Sequence, residues 1–114
     1  MKAQDLMTGK VYSVGSGQSL NDAAQLMWEH NCGSVPVLDE NEKVLGMVTD
    51  RDIAMAAYLN GNRLEAIPVS VAQSKQLVSC KPGDNINDVQ RLMQTHQMHR
   101  IPVIGKKGEL LGIV

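Results

Sequence analysis

The sequence predicts an α+β fold made of two copies of one unit, each reading strand, helix, strand, strand, helix. An internal repeat is the first indication, because a shift of 66 positions lays Val11–Val48 over Leu77–Val114 without a gap, with 12 identities in 38 pairs. A change of apolar spacing inside each copy, from strand-like runs to helical periodicity, is the second. The identical residues of the first copy are Ser13, Gly17, Asn21, Asp22, Leu26, Met27, His30, Pro36, Val37, Leu45, Gly46 and Val48.

Each copy opens with a short β-prone segment, Val11–Val14 or Leu77–Cys80, followed by a turn containing glycine or proline. A helix is predicted next, because apolar residues then recur at helical spacing on one face. These apolar residues are Leu20, Ala23 and Met27 in the first copy and Ile86, Val89 and Met93 in the second.

Both helix starts carry capping chemistry. Ser19 precedes Asp22 by three residues, and Asn85 precedes Asp88 by three. A side-chain acceptor at the cap and an acidic residue three positions on satisfy free backbone N–H groups at a helix start. The two pairs therefore place both helix boundaries.

Two further strands follow in each copy. Ser34–Leu38 and Arg100–Ile104 are apolar and β-branched, and each carries a proline, which belongs at a strand start or at a sheet edge. After a polar turn, Val44–Val48 and Leu110–Val114 are predicted as buried strands.

In the first copy a last helix is predicted to open at Thr49 and to end near Asn60 and Gly61, since glycine suits the left-handed end of a helix. The predicted division is a first unit over residues 1–61, a connecting segment over 62–76 and a second unit over 77–114. The second unit reaches Val114 without the helix that the repeat predicts, so we expect the natural chain to continue.

Each unit is about half the chain, which is too short for an independent core. The two units are therefore expected to pack face to face about a quasi-twofold axis. The connecting segment is expected to pack on the pair through its apolar residues, which are Leu64, Ile67, Val69 and Val71.

Composition excludes several classes of function. The net charge is −1 without a run of like charges, which argues against a nucleic-acid footprint, and an aromatic content of 3% argues against a base-stacking platform. No apolar stretch approaches the roughly 20 residues that span a bilayer, and no export signal is present, so a cytoplasmic location without membrane contact is predicted. Cys32 and Cys80 lack metal-ligand spacing and are predicted to be reduced, partly buried thiols.

Four motifs occur in the order typical of one family. Asp5–Thr8 reads Asp-Leu-Met-Thr, residues 33–39 read Gly-Ser-Val-Pro-Val-Leu-Asp, residues 44–54 read Val-Leu-Gly-Met-Val-Thr-Asp-Arg-Asp-Ile-Ala, and His99–Val103 reads His-Arg-Ile-Pro-Val. The chain resembles a tandem pair of cystathionine-β-synthase (CBS) domains over essentially its whole length. This resemblance implies adenine nucleotides or adenosyl compounds bound in clefts between the units, dimerisation, and regulation of an attached or partner protein.

Thr49 and Asp52 allow two interpretations. As a capping box alone they stabilise the helix by about 0.5–2 kcal/mol. The start of a helix after a strand also presents free N–H groups and a positive dipole to an anion, and a carboxylate there can accept hydrogen bonds from both ribose hydroxyls. The resemblance implies that Asp52 holds ribose and that Thr49 contacts sugar or phosphate. Arg51 faces either solvent or a phosphate.

The same resemblance places the rest of the cleft. It implies an apolar wall and backbone contacts around the base from five residues: Val14, Gly33, Ser34, Val35 and Pro36. His99 and Arg100 of the second unit are the implied phosphate partners, and a guanidinium suits this role because it donates two parallel hydrogen bonds. For Arg100 a surface salt bridge is the alternative, and for His99 a structural role.

The quasi-symmetric second cleft is expected to be incomplete. Its basic position is occupied by Ser34, and its ribose carboxylate would follow Val114. At most one well-formed nucleotide site per chain is therefore expected. His96 and His99 form a weak metal pair because no third ligand is in view, and no metal site is predicted.

No nucleophile with a base, paired carboxylates or metal cluster is apparent, so the chain is predicted not to be an enzyme and to require no cofactor. The predicted function is a regulatory module that senses AMP, ADP, ATP or S-adenosylmethionine. The alternative is a homodimerising interaction scaffold without a ligand. The ligand's identity, the regulated protein, and head-to-head against head-to-tail pairing stay open.

Overall fold

The two halves of the chain form two small sheets, each covered by helices. The computed structural model describes all residues, Met1–Val114. The helices are α1 (Ala3–Leu6), α2 (Leu20–Glu29), α3 (Asp50–Asn60) and α4 (Ile86–Thr95), and Leu64–Ala66 and Val69–Val71 are single 3₁₀ turns. The strands are β1 (Val14–Gly15), β2 (Ser34–Leu38), β3 (Val44–Thr49), β4 (Pro102–Ile104) and β5 (Leu110–Ile113). The predicted α+β fold with two units is confirmed.

Sheet topology follows the repeat. The first sheet has the order β1-β2-β3, with β1 parallel to β2 and β2 antiparallel to β3. The second sheet pairs β4 with β5 in antiparallel fashion, and Cys80 adds a parallel bridge to Val103, as Val14 does to Val37. A register shift follows Val37 in one sheet and Val103 in the other. The two units therefore share one backbone path.

Unfavourable backbone conformations are repeated as well. The helices α2 and α4 have bounds that differ by the repeat length, and each is followed by a left-handed residue, Asn31 at φ 50° or Gln97 at φ 53°. Non-glycine residues rarely adopt positive φ. Its recurrence at both helix ends indicates that the turn is required to bring the chain back onto the sheet.

The connecting segment packs on the first unit. Val69 donates its N–H to the carbonyl of Gln18 at 2.7 Å, and Ser74 donates to the carbonyl of Met47 in β3 at 2.9 Å. Ile67 and Val69 are buried in the first core. The segment thus contacts β3 and contributes to the first core.

The N-terminal segment packs on the second unit in the equivalent way. Ala3 donates its N–H to the carbonyl of Asp84 at 2.9 Å, and Thr8 and Ile113 exchange two backbone hydrogen bonds at 2.8 and 3.1 Å. Thr8 and Ser74 are separated by the repeat length, as are Ile113 and Met47. Each unit is therefore completed by the segment that precedes the other unit.

Two apolar cores result. The first is formed by Val14, Leu20, Ala23, Met27, Val35, Val37, Val48, Ile53, Ala56, Ile67 and Val69. The second is smaller and is formed by Ala3, Val78, Cys80, Val89, Ile101 and Val103. Burial of this apolar area is the main favourable contribution to folding.

Three strand predictions were too long. Val11–Val14 is a strand only from Val14, and of Leu77–Cys80 only Cys80 bridges to the sheet. Arg100–Ile104 is a strand only from Pro102 onward, although Ile101 still exchanges backbone hydrogen bonds with Val114. β-Propensity alone does not set the length of a strand, because pairing also requires a partner segment alongside.

The capping predictions hold for two helices and fail for one. Ser19 and Asp22 form the expected capping box, and α3 ends at Gly61 in the left-handed conformation with φ 66°. Asn85 caps α4 by accepting from Asn87, and Asp88 does not reach back to it. Asparagine bonds the residue two positions on in an Asx turn, which competes with the capping box.

Three predictions of burial were wrong. The strand β5, predicted to be buried, is only partly so, and Leu111 is exposed. Cys32 is exposed rather than partly buried, because it follows the left-handed Asn31 in the turn between α2 and β2. Val71 is also exposed, since its 3₁₀ turn points Val69 into the core instead.

Candidate functional site

The site residues of the first unit meet where β3 ends and α3 begins. Ser34 lies opposite Thr49 in the antiparallel pair of β2 and β3, and Asp50 donates its N–H to the carbonyl of Gly33 at 2.9 Å. The β2 backbone therefore flanks the first turn of α3. Gly33 is exposed, and a Cβ at this position would lie 3.4 Å from the Asp50 carboxylate.

Thr49 and Asp52 form a reciprocal capping box at this junction. The Thr49 N–H donates to Asp52 Oδ2 at 2.9 Å, and the Asp52 N–H donates to Thr49 Oγ1 at 3.0 Å. Both side chains are half-buried. Asp52 uses only Oδ2 in hydrogen bonds of the protein, so Oδ1 keeps its acceptor capacity.

An equivalent capping box in α2 has different surroundings. Ser19 and Asp22 exchange hydrogen bonds of 3.1 and 3.2 Å, but Ser19 also bridges to Pro68 of the connecting segment. The start of α2 thus lies against another segment of the chain. The start of α3 instead continues directly from a strand, which is the arrangement that presents helix N–H groups at the end of a sheet.

The side chains predicted to form the apolar wall around the base are mostly buried in the first core. Val14 and Val35 are almost fully buried and belong to the first core, so they offer backbone groups rather than side chains to a ligand. Pro36 is buried opposite Met47. Backbone N–H and C=O groups discriminate bases as well as side chains do, which leaves the predicted role open.

The two predicted phosphate partners, His99 and Arg100, form no hydrogen bonds with the residues of this junction. His99 and Arg100 are exposed, and Arg100 Nη1 donates to the carbonyl of His99 at 2.8 Å. Neither residue forms a hydrogen bond or ion pair with Thr49, Arg51 or Asp52. The structure thus brings together Gly33, Ser34, Thr49 and Asp52, and it leaves the guanidinium of Arg100 without a carboxylate partner.

Asp50, which is not among the predicted site residues, also lies at this junction. Its side chain accepts a hydrogen bond from the Arg51 N–H at 2.8 Å and lies beside Gly33. A negative side chain in the first turn of a helix interacts favourably with the helix dipole, and the position of Asp50 directly after Thr49 is visible in the sequence. Its negative charge borders the site, whereas Arg51 on the next position is exposed and forms no ion pair.

No group of three His, Cys, Asp or Glu side chains lies close enough to hold a metal ion. None of the helices has the length and apolar character needed to cross a lipid bilayer.

The two cysteines lie in contrasting environments. Burial, assisted by the negative charge of Asp84, raises the pKa of the Cys80 thiol from 9.0 to about 11. Because the thiolate is the reactive form, Cys80 is expected to resist thiol reagents at pH 8 while exposed Cys32 reacts. A chromogenic disulfide reagent should therefore titrate one thiol per native chain and two after denaturation; two rapid thiols in the native protein would contradict the burial of Cys80.

The shift also sets a pH dependence. The folded-state pKa of Cys80 lies above that of the unfolded chain, so the folded state keeps its proton longer. The contribution to stability is complete below about pH 9 and is lost as pH rises toward 11.

Comparison with known proteins identifies the family of the chain. The family model of the CBS domain matches residues 3–58 and 62–114, which is nearly the whole chain. The chain belongs to the CBS domain family and carries two CBS domains. It is 40% identical over 111 residues to the CBS domain-containing protein YhcV of Bacillus subtilis strain 168, covering 97% of this chain and 77% of that protein.

Solved structures agree. The crystal structure of Hypoxic Response Protein I with two coordinated zinc ions matches with a TM-score of 0.91 at 31% identity, covering all of this chain and 92% of that one. The CBS domain pair of protein MJ0100, in complex with 5′-methylthioadenosine and S-adenosyl-L-methionine, matches with a TM-score of 0.89. At 22% identity, over all of this chain and 88% of that one, the second likeness concerns the fold.

Proposed function

We propose that this CBS pair is a regulatory module that binds an adenine nucleotide or adenosyl compound between its two domains and alters the state of an attached or partner protein. The observation that carries the proposal is the junction at Thr49. There an 11-residue helix begins directly after a strand, and Asp52 keeps one carboxylate oxygen free within its capping box. Such a junction offers N–H donors to an anion and a carboxylate acceptor to hydroxyl groups.

Each residue has a proposed role at this junction. Asp52 Oδ1 accepts from the ribose hydroxyls, and Thr49 contacts sugar or phosphate. The backbone of Gly33, Ser34 and Pro36, with Val14 and Val35 behind it, surrounds the base. His99 and Arg100 of the second domain, together with Arg51, contact the phosphates, for which the unpaired Arg100 guanidinium is suited.

A ligand held by both domains has a direct route to regulation. A ligand shifts a conformational equilibrium only as far as its contacts differ between the two states. Because His99 and Arg100 lie on the second domain and Asp52 on the first, phosphate and ribose contacts are satisfied together in one relative packing of the domains. Ligand binding therefore favours that packing, and an attached or partner protein responds to it.

The solved relatives support an adenosyl ligand more than a metal. The CBS pair of MJ0100, which has the same fold, is in complex with 5′-methylthioadenosine and S-adenosyl-L-methionine. Hypoxic Response Protein I holds two zinc ions, but the present chain brings no three metal-ligating side chains together. We propose that no cofactor is required, that the chain does not act as an enzyme or on nucleic acid, and that it works in the cytoplasm.

Thermal unfolding with and without ligand tests the proposal. A ligand that binds only the folded state stabilises it by about 2.7 kcal/mol at 100 times its Kd. We expect millimolar AMP, ADP, ATP or S-adenosylmethionine to raise the melting temperature by several degrees. Cytidine nucleotides of equal charge are the control, because they supply phosphate and ribose without the adenine base.

The alternative function is a pairing scaffold whose cleft holds no ligand. Absence of a shift with every adenine or adenosyl compound at millimolar concentration would favour the scaffold. An equal shift with the cytidine nucleotides would indicate anion binding at the helix start and would overturn recognition of adenine.

A further inference from the structure

The last turn of α3 carries the only asparagine of the chain that is followed by glycine, in the pair Asn60–Gly61. Both residues are exposed, and no atom beyond the chain neighbours lies within 4 Å of the place that a Cβ of Gly61 would take. An Asn-Gly pair is chemically labile, because glycine has no side chain to keep its backbone nitrogen away from the preceding carboxamide. Deamidation is therefore sterically easiest at this asparagine.

Two hydrogen bonds hold this pair in the helix. Asn60 Nδ2 donates to the carbonyl of Ala56 at 2.8 Å, and the Gly61 N–H donates to the carbonyl of Ala57 at 3.0 Å. The first bond fixes the carboxamide that would be attacked, and the second holds the proton that the attacking nitrogen must lose. Asn60 is also helical, and a ring through its side chain closes only when its backbone leaves that conformation. The folded turn therefore opposes the reaction in three ways.

We propose that Asn60 is a site of spontaneous deamidation whose rate is set by the opening of the last turn of α3. When the turn opens, the deprotonated backbone nitrogen of Gly61 bonds to Cγ of Asn60. The bond from Cγ to Nδ2 then breaks, and ammonia leaves behind a five-membered succinimide. Water opens this ring at one of its two carbonyls and gives aspartate or isoaspartate at position 60. One water molecule is consumed and one ammonia is released.

The end of α3 is suited to local opening. The buried residues of this helix, Ile53 and Ala56, precede the last turn, whereas Tyr58, Leu59 and Asn60 are exposed. No basic side chain in the last turn interacts with the negative end of the helix dipole. Segments with few buried contacts open at a lower free energy than the core does. The last turn can therefore open while the first core stays intact.

The products are expected to destabilise the turn in which they form. A carboxylate cannot donate to the Ala56 carbonyl, so that hydrogen bond is lost, and a negative charge at this end of a helix opposes the dipole. Isoaspartate also adds a carbon to the main chain beside Gly61, which caps the helix at φ 66°. Because the product has one more negative charge than a chain of net charge −1, ion exchange separates it. We expect it to melt several degrees lower.

Peptide mapping by mass spectrometry tests the proposal on the 114-residue chain without nucleotide. The chain is incubated in mildly alkaline buffer, native and in urea, and the loss of amide is followed at each asparagine. In urea we expect Asn60 to react faster than all others, including Asn62, which is followed by the bulky Arg63. In the native chain we expect Asn60 to react at least about 10-fold more slowly than in urea, because the turn is mostly closed.

Two matched variants distinguish local opening from global unfolding. Ala57→Gly weakens the last turn of α3, and Ala24→Gly weakens the middle of α2 through the same loss of helix propensity at a half-buried alanine. We expect Ala57→Gly to speed the reaction of the native chain several-fold and Ala24→Gly to leave it unchanged. Neither substitution alters the Asn60–Gly61 pair, so both variants should match the wild type in urea.

Three outcomes would overturn the proposal. Equal rates in the native and the unfolded chain would show that the turn does not protect Asn60. A faster reaction at another asparagine in urea would show that Asn60 is not the preferred site. Equal acceleration by Ala57→Gly and Ala24→Gly would assign the reaction to global unfolding. Because no nucleotide is present, each of them leaves the proposed ligand-sensing function untouched.

Discussion

Replacing Asp52 by alanine is expected to abolish the rise in melting temperature caused by adenine nucleotides. The carboxylate is the proposed ribose acceptor, and its removal leaves the ribose hydroxyls without their charged partner. Hydrogen bonds to charged groups contribute about 1.5–3 kcal/mol, so losing two of them weakens binding by two orders of magnitude or more. Differential scanning fluorimetry across a nucleotide titration measures the effect.

The chain supplies its own control for the cap. Asp22 occupies the same position in the capping box of α2, with hydrogen bonds within 0.2 Å of those made by Asp52 (3.1 and 3.2 Å against 2.9 and 3.0 Å). Both Asp22→Ala and Asp52→Ala are expected to lower the free energy of unfolding by about 0.5–1.5 kcal/mol, because each removes the carboxylate that accepts from the N-cap N–H while the Ser19 or Thr49 cap remains. Only Asp52→Ala is expected to lose the nucleotide response.

The comparison separates the two interpretations of Thr49 and Asp52. If both variants keep the wild-type nucleotide shift, Asp52 only caps the helix and the ligand is held elsewhere. If both lose it in proportion to their lost stability, the response reports global stability rather than a ribose contact.

Leu20→Ala is expected to have the largest effect on stability. Leu20 is fully buried at the start of α2 within the larger core, and its N–H donates to the carbonyl of Ile67 at 2.8 Å. Removing such a side chain costs about 2.7–5 kcal/mol, from lost transfer free energy and from the cavity left behind. At about 4 °C per kcal/mol for a domain of this size, this loss of free energy is expected to lower the melting temperature by about 10–20 °C.

Ile86 is the equivalent residue of the second domain and provides the matched variant. It is only half-buried and packs at the margin of the smaller core. Ile86→Ala is therefore expected to cost about half as much as Leu20→Ala. Equal losses in urea denaturation would indicate that the two cores are equally well packed.

Helix boundaries were predicted best where capping residues and the internal repeat indicate the same position. The start of α2 and both bounds of α3 follow from capping residues and Gly61, and the structure confirms them. The lengths of β1 and β4 did not follow, because the length of pairing depends on which other segment lies alongside. The helix α1 was not anticipated either, since four residues carry too little periodicity to be recognised.

The candidate site shows the same limit. Thr49 and Asp52 are three residues apart, so their contact follows from sequence alone. The distance from Asp52 to Arg100 depends on how the two domains pack, which no local pattern encodes. The exposure of Trp28 and Leu59 was not predicted, because apolar residues at helical spacing are usually core and only tertiary packing shows which of them are exposed.

The N-terminal segment packs on the second unit and the connecting segment packs on the first, and this exchange couples the unfolding of the two units. A fragment that ended at Gly61 would lose the edge that Ser74 supplies to β3, and a fragment that began there would lose the edge that Thr8 supplies to β5. Neither half is therefore expected to survive alone, and the intact chain should melt in a single calorimetric transition. A bound molecule that shifts the backbone of one half is then expected to shift the backbone of the other half as well.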